Sequence, residues 1–165
     1  MEEETTRAFR FSYTKVVDSL KTKVTIEVNG RKKEVVALWD TGANCCAVSE
    51  DVVKDLSLIK TGETNLLTPG GSKRANTYLV DHIFLPNDVV VHDVKVTDSE
   101  IGTQGIGLLI GMNIISLGDF LVCNSNGHTV FSFRTPSEPI PDFVTGIRLR
   151  NVVGQKHGKG KRKKK

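Results

Sequence analysis

Val24-Thr25-Ile26-Glu27-Val28 alternates apolar and polar residues, breaks at Asn29-Gly30, and returns through Val35-Val36-Ala37-Leu38-Trp39 straight into Asp40-Thr41-Gly42-Ala43. Period-two alternation marks a strand with one wet face, and Asn-Gly suits the left-handed backbone of a two-residue hairpin turn. The return run has no polar residue, which predicts a strand buried on both faces. A lone hairpin is not stable, so this one needs further strands to cover it. It also aims a carboxylate out of the end of a rigid element.

The rest of the chain supplies those strands. Ala47-Val48-Ser49 reads as a short strand, with Ser49 as N-cap and Glu50 and Asp51 in the first turn of a helix through about Leu56. Leu66-Leu67-Thr68 and Asn76–Val80 flank Pro69-Gly70-Gly71-Ser72-Lys73, a hairpin with a glycine tip. Strands are expected at His82–Leu85, Val89–Val91 and Val94–Val96, followed by the apolar, glycine-rich run Gly105–Gly111. Asn113 is expected to cap a short helix over Ile114–Leu117. Phe120–Cys123 and His128–Phe133 close the pattern around Asn126-Gly127, and Pro136, Pro139 and Pro141 end strand pairing. Many short strands and one or two short helices predict an all-β barrel or sandwich.

At 165 residues the chain has room for one such core. Its net charge of +4 is a property of the tail: residues 156–165 hold seven Lys/Arg and no acid, so the rest sums to −3. The expected organisation is an N-terminal arm over 1–22, a folded domain over 23–136, a peripheral extension over 137–155 and a basic disordered tail over 156–165. Any nucleic-acid contact falls to that tail. No apolar run nears the roughly 18 residues of a membrane span, so no membrane partner is expected. The acidic start Met1-Glu2-Glu3-Glu4 lacks the layout of a secretory signal, which predicts a cytoplasmic protein. Cys45, Cys46 and Cys123 have neither zinc nor redox spacing and read as buried, reduced thiols. His82, His92 and His128 lie on different strands without a second ligand at i+2 or i+4, and no metal or cofactor is expected. Gly70-Gly71-Ser72-Lys73 lacks the spacing of a phosphate-binding loop.

Asp40-Thr41-Gly42 is also what a tight turn is made of, and the triplet alone says little. Its surroundings say more. A strand feeds directly into the aspartate, Ala43 follows the glycine, a glycine-tipped hairpin lies downstream, and Leu109-Ile110-Gly111 opens the stretch that runs to Phe120. That order resembles the retropepsins, the single-domain aspartic proteases of retroviruses, and their bacterial relatives, over about residues 23–134.

The resemblance implies a retropepsin-like acid-protease barrel that works as a symmetric dimer, because one chain carries one Asp-Thr-Gly. Asp40, Thr41 and Gly42 would be the catalytic loop: Asp40 faces its own copy, Thr41 locks the two loops across the axis, and the Gly42 N–H approaches the carboxylate. Ala43, Asn44, Pro69, Gly70, Gly71 and Ser72 would bind an extended polypeptide substrate, the last four as a flap. Leu109, Ile110 and Gly111 would support the loop from beneath. The implied activity is aspartic endopeptidase. Asn44 and Trp39 depart from the usual residues, Trp39 in a way expected to narrow the approach to Asp40. The competing reading is a peptide-binding or dimerisation module on the same fold.

Overall fold

A computed structural model describes residues 5–68, 70–139, 144–148 and 150. Ten strands form two sheets: β1 (Arg7–Ser12), β2 (Leu20–Val28), β3 (Arg31–Trp39), β4 (Cys46–Ser49), β5 (Lys60–Thr68), β6 (Gly71–Phe84), β7 (Val90–Ser99), β8 (Leu108–Ile110), β9 (Asp119–Cys123) and β10 (Val130–Thr135). Two short helices, α1 (Glu50–Asp55) and α2 (Met112–Ile115), interrupt them. The larger sheet runs β2-β3-β8-β4-β7-β6-β5, and β6 pairs back onto β2, which closes six strands into a barrel. The fold is all-β and, of the barrel and the sandwich that the strand pattern predicts, it is the barrel.

The β2–β3 hairpin turns where expected, with Asn29 at φ 49° and Gly30 at φ 76°, both left-handed as a two-residue turn requires. Val24, Ile26 and Val28 on β2 and Val35, Ala37 and Trp39 on β3 point into the core. Val36 and Leu38 are only half-buried, so β3 has one covered face where its composition predicts two. Ser49 caps α1, accepting from the Val52 N–H at 3.4 Å. The segments expected as separate strands on either side of Asp81 and of Asp93 are single long strands, β6 and β7. Asp93 sits at φ 53° inside β7, and the ladder passes over it from Val80–Val94 to His82–His92.

The smaller sheet runs β1-β10-β9. The arm expected over 1–22 therefore contributes a strand, because Arg7–Ser12 pairs antiparallel with Val130–Thr135 from the far end of the sequence. Phe9, Phe131 and Phe133 from this sheet pack on Trp39 of the barrel, with ring centroids 5.4–5.7 Å from the indole, and Phe120 stacks on it at 5.7 Å. These rings are buried or half-buried and fasten the sheet to the barrel beside the end of β3. The basic tail and most of the extension after residue 139 lie outside the described residues.

Candidate active site

Asp40 is the first residue beyond β3, and parallel pairing with β8 sets its position. Trp39 registers with Ile110, and the Asp40 N–H donates to the Ile110 carbonyl at 2.9 Å. The loop then turns over α2. Ala43 N–H donates to Asp40 O at 3.2 Å, and Met112 N–H donates to Ala43 O at 2.8 Å. Gly111 lies beneath: a Cβ there would stand 2.6 Å from the carbonyl carbon and oxygen of Cys45 and 2.9 Å from the Ala43 oxygen. Only a hydrogen fits.

The carboxylate is half-buried, and its Oδ1 accepts the Gly42 N–H at 2.8 Å. Gly42 is not in the left-handed region. A Cβ on it would come within 3.1 Å of Asp40 Oδ1, so closeness to the acid accounts for the glycine. Below the loop, Cys46 Sγ donates to Asn113 Oδ1 at 3.1 Å and accepts the Gly111 N–H at 3.4 Å. Burial pushes this thiol up to about 12, so it remains a neutral donor. Asn113 is thus a loop support inside α2 instead of its cap; Gly111 holds the N-cap position without a side-chain bond.

Asp40 opens on two sides. One is a groove of about 760 Å³ whose walls include Gly42, Ala43, Asn44 and Cys45, the β5 residues Thr64–Thr68, and Leu109. That volume suits several side chains of an extended peptide. The other is a shallower cleft where Asp40 and Thr41 meet Leu20, Phe120 and Val122. The hairpin β5–β6 reaches out beyond the barrel and bounds the groove. Its ladder to β7 ends at Thr77–Thr97, and the next rung is made by side chains. Asp98 accepts from Asn76 N at 2.9 Å, from Asn76 Nδ2 at 2.7 Å and from the Tyr78 hydroxyl at 3.3 Å. Further out, Lys73 Nζ donates to Glu100 Oε1 at 2.6 Å.

Several residues singled out in the sequence converge here. Asp40, Gly42, Ala43 and Asn44 share the groove, and Thr41 faces the other cleft. Gly70, Gly71 and Ser72 at the hairpin tip do not reach the groove wall, which Thr64–Thr68 supplies instead; Pro69 lies outside the described residues. Trp39 is not in the groove wall; it lines the cleft on the other side of Asp40. It is 5% exposed, points into the aromatic cluster, and donates through Nε1 to Thr22 Oγ1 at 3.0 Å. Of the thiols only Cys46 is buried: Cys45 is half-buried in the groove wall, and Cys123 is exposed. Ala47, Thr77, Lys95 and Thr97 also line the groove. No local signal marks them, because strand pairing between distant segments brings them together.

The histidines differ from expectation in one respect. Strand pairing sets His82 opposite His92, with rings 4.9 Å apart, and Glu27 Oε1 lies 3.5 Å from His82 Nδ1. Among the described residues no three such side chains form a group that could hold a metal.

The aspartyl protease family matches residues 24–114, more than half the chain, from β2 through α2. The chain is similar to a retropepsin-like aspartic protease from Rickettsia conorii, with 16% identity and a TM-score of 0.49 over 82% of this chain and 98% of that one. It is also similar to the EIAV protease complexed with the inhibitor HBY-793, at 19% identity and TM-score 0.48 over 64% of this chain and 92% of that one. A third similar structure is the simian foamy virus (mac) protease, at 20% identity and TM-score 0.42 over 59% and 92% of the two chains. No curated protein matches.

Proposed function

The chain belongs to the aspartyl protease family, and from that premise we propose that it is an endopeptidase whose Asp40 pairs with Asp40 of a second copy. One observation carries the reading: a half-buried carboxylate, held by a backbone N–H, lies between a peptide-sized groove and a cleft edged by Phe120 and Val122 of β9. The groove side would take substrate, and the β9 side would take the partner. Thr41, facing that cleft, would lock the two loops across the axis.

Two carboxylates at such a distance do not both ionise cheaply, so the pair holds one proton. The ionised member takes a proton from a water as its oxygen attacks the peptide carbonyl carbon. The protonated member gives its proton to the carbonyl oxygen. Collapse of the resulting tetrahedral diol breaks the C–N bond, with a proton returned to the departing amine. This chemistry draws on no metal or cofactor. The β5–β6 hairpin would close over the substrate strand and exclude bulk water. Free thiols suit a reducing compartment, and the cytoplasm is the proposed location. No helix among the described residues is long and apolar enough to cross a membrane.

The test is incubation of the full chain with a mixed peptide library over a pH series, beside Asp40→Asn. Cleavage is expected to fall on both sides of the pH at which one proton is shared. In Asp40→Asn it is expected to drop by at least about 10²-fold while the fold persists. Equal cleavage by both proteins, with contaminating protease excluded, overturns the mechanism.

A further inference from the structure

Among the described residues that line the groove, two carry charge, Asp40 and Lys95. Lys95 lies on β7, where alternation puts Lys95, Thr97 and Ser99 on the side that faces the groove. The register defines the floor beside it. Thr97 pairs with Thr77 on one side and with Ala47 on the other, and Ala47 pairs with Leu109. The floor therefore passes from apolar, at Leu109 and Ala47, to threonine, at Thr97 and Thr77. Thr77 is 3% exposed, and the Thr97 hydroxyl is shut away from solvent with no partner among the described residues, so neither offers the groove an open donor. One rung along, Lys95 stands next to Cys45, because Cys46 registers with Val96.

Lys95 differs from most of its kind in this fold. Lys23, Lys32, Lys33, Lys54, Lys60 and Lys73 each reach a carboxylate. Lys95 is exposed and reaches none among the described residues. Its backbone is fixed, since Asn113 Nδ2 donates to the Lys95 carbonyl at 3.2 Å, but its ammonium is left free to meet a ligand. A cation at the wall of a groove whose other charge is a catalytic acid favours an anion in the bound strand and disfavours a cation.

We infer that Lys95 sets specificity: the groove takes a peptide with Asp or Glu at the position lying over β7. If the dimeric endopeptidase reading holds, on which this step rests, the two-fold axis gives one Lys95 on each side of the scissile bond. The preferred substrate then carries one acidic residue on each side, at equal distances from the cut.

Binding tests this without requiring turnover. Full-length Asp40→Asn is titrated with fluorescent ten-residue peptides that have a central apolar pair and Glu, Gln or Lys scanned through every flanking position. At pH 7 and low salt, Glu is expected to bind about two- to fivefold tighter than Gln at one position on each side, with Lys weakest there. The preference is expected to shrink in high salt, and to vanish about a unit below the glutamate pKa of roughly 4.3, where the side chain is neutral. In Asp40→Asn with Lys95→Glu the order is expected to invert, with the thermal transition serving as the check on folding. Equal binding of Glu and Gln peptides, a preference on one side only, a preference that survives Lys95→Glu, or no peptide binding at all overturns the inference. Acid-selective binding by a protein whose wild type cuts none of these peptides would instead refute the endopeptidase reading and leave the charge preference standing.

Discussion

A methyl group on Gly111 has nowhere to go, because the atoms it would meet are the backbone of Cys45 and Ala43, which cannot swing aside as a side chain can. Gly111→Ala must push the 40–45 loop away from α2, and the Asp40 carboxylate moves with it. The expected cost is about 1–3 kcal/mol of stability, as for an overpacked core site. With Asp40 in the catalytic role proposed above, the loss of peptide cleavage is expected to be larger, roughly 10²-fold, since a displaced catalytic group is worth about that much. Urea melts and kcat on one library peptide measure both; a variant that loses stability in proportion to activity would place Gly111 in the core alone. The sequence marks this position through Leu109-Ile110-Gly111 but conceals the reason, which is a contact between segments far apart in the chain. Asn113 shows the same limit. Locally it reads as a helix cap, yet its amide is committed to Cys46 and to the Lys95 carbonyl. The Ser49 cap was legible because both partners lie within one helical turn.

At the level of elements, the hairpin β5–β6 leaves the barrel where main-chain pairing stops, and Asp98 takes over as the fastening. Three donors from Asn76 and Tyr78 converge on one carboxylate that competes with no ladder bond. Asp98→Ala removes the fastening and keeps the strands. The local opening free energy of residues 60–76 is expected to fall by about 1.5–3 kcal/mol, with amide exchange there faster by roughly ten- to hundredfold and β2–β3 unaffected. Uniform acceleration across the barrel would show that Asp98 holds the whole fold and not the hairpin. A second fastening joins β9 to the end of β10. Asp119 accepts from the Glu138 N–H at 2.9 Å and from Ser137 Oγ at 2.6 Å, and pairs with Arg134. These bonds, the backbone N–H foremost, hold its carboxyl down to about 2. A depressed carboxyl stabilises the fold above its unfolded value of about 3.9, and the contribution drains away as pH falls toward 2. Wild type and Asp119→Asn are therefore expected to differ in melting temperature at pH 5 and to converge below pH 2. An undiminished gap at pH 2 would assign the difference to geometry instead of charge. Both fastenings join segments distant in sequence, so neither could be read from the order of residues, whereas the hairpin tip and the turn at Asn29-Gly30 were written locally.

For the whole molecule the question is what covers the β1-β10-β9 sheet. β1 and β9 each pair with β10 on one side only, so among the described strands their outer edges are open, and open edges invite pairing with another chain. The edge at β9 is also apolar: Leu121 is 48% and Val122 41% exposed, and Val122 shares its cleft with Thr41 and Asp40. A second copy docking there by two-fold symmetry would bring the two Asp40 loops to a common axis, the requirement imposed by one Asp-Thr-Gly per chain. Val122→Lys puts a charge at that edge without touching the core, a device natural sheets use to stay single. The wild type is expected to sediment increasingly as dimer from about 1 to 100 µM, following mass action. The variant is expected to remain monomeric, fold normally and cleave nothing, with activity returning in part when substrate-like peptide and high protein concentration favour association. A wild type monomeric throughout that range yet active would separate catalysis from dimerisation, and Asp40 would need a proton-sharing partner from within its own chain.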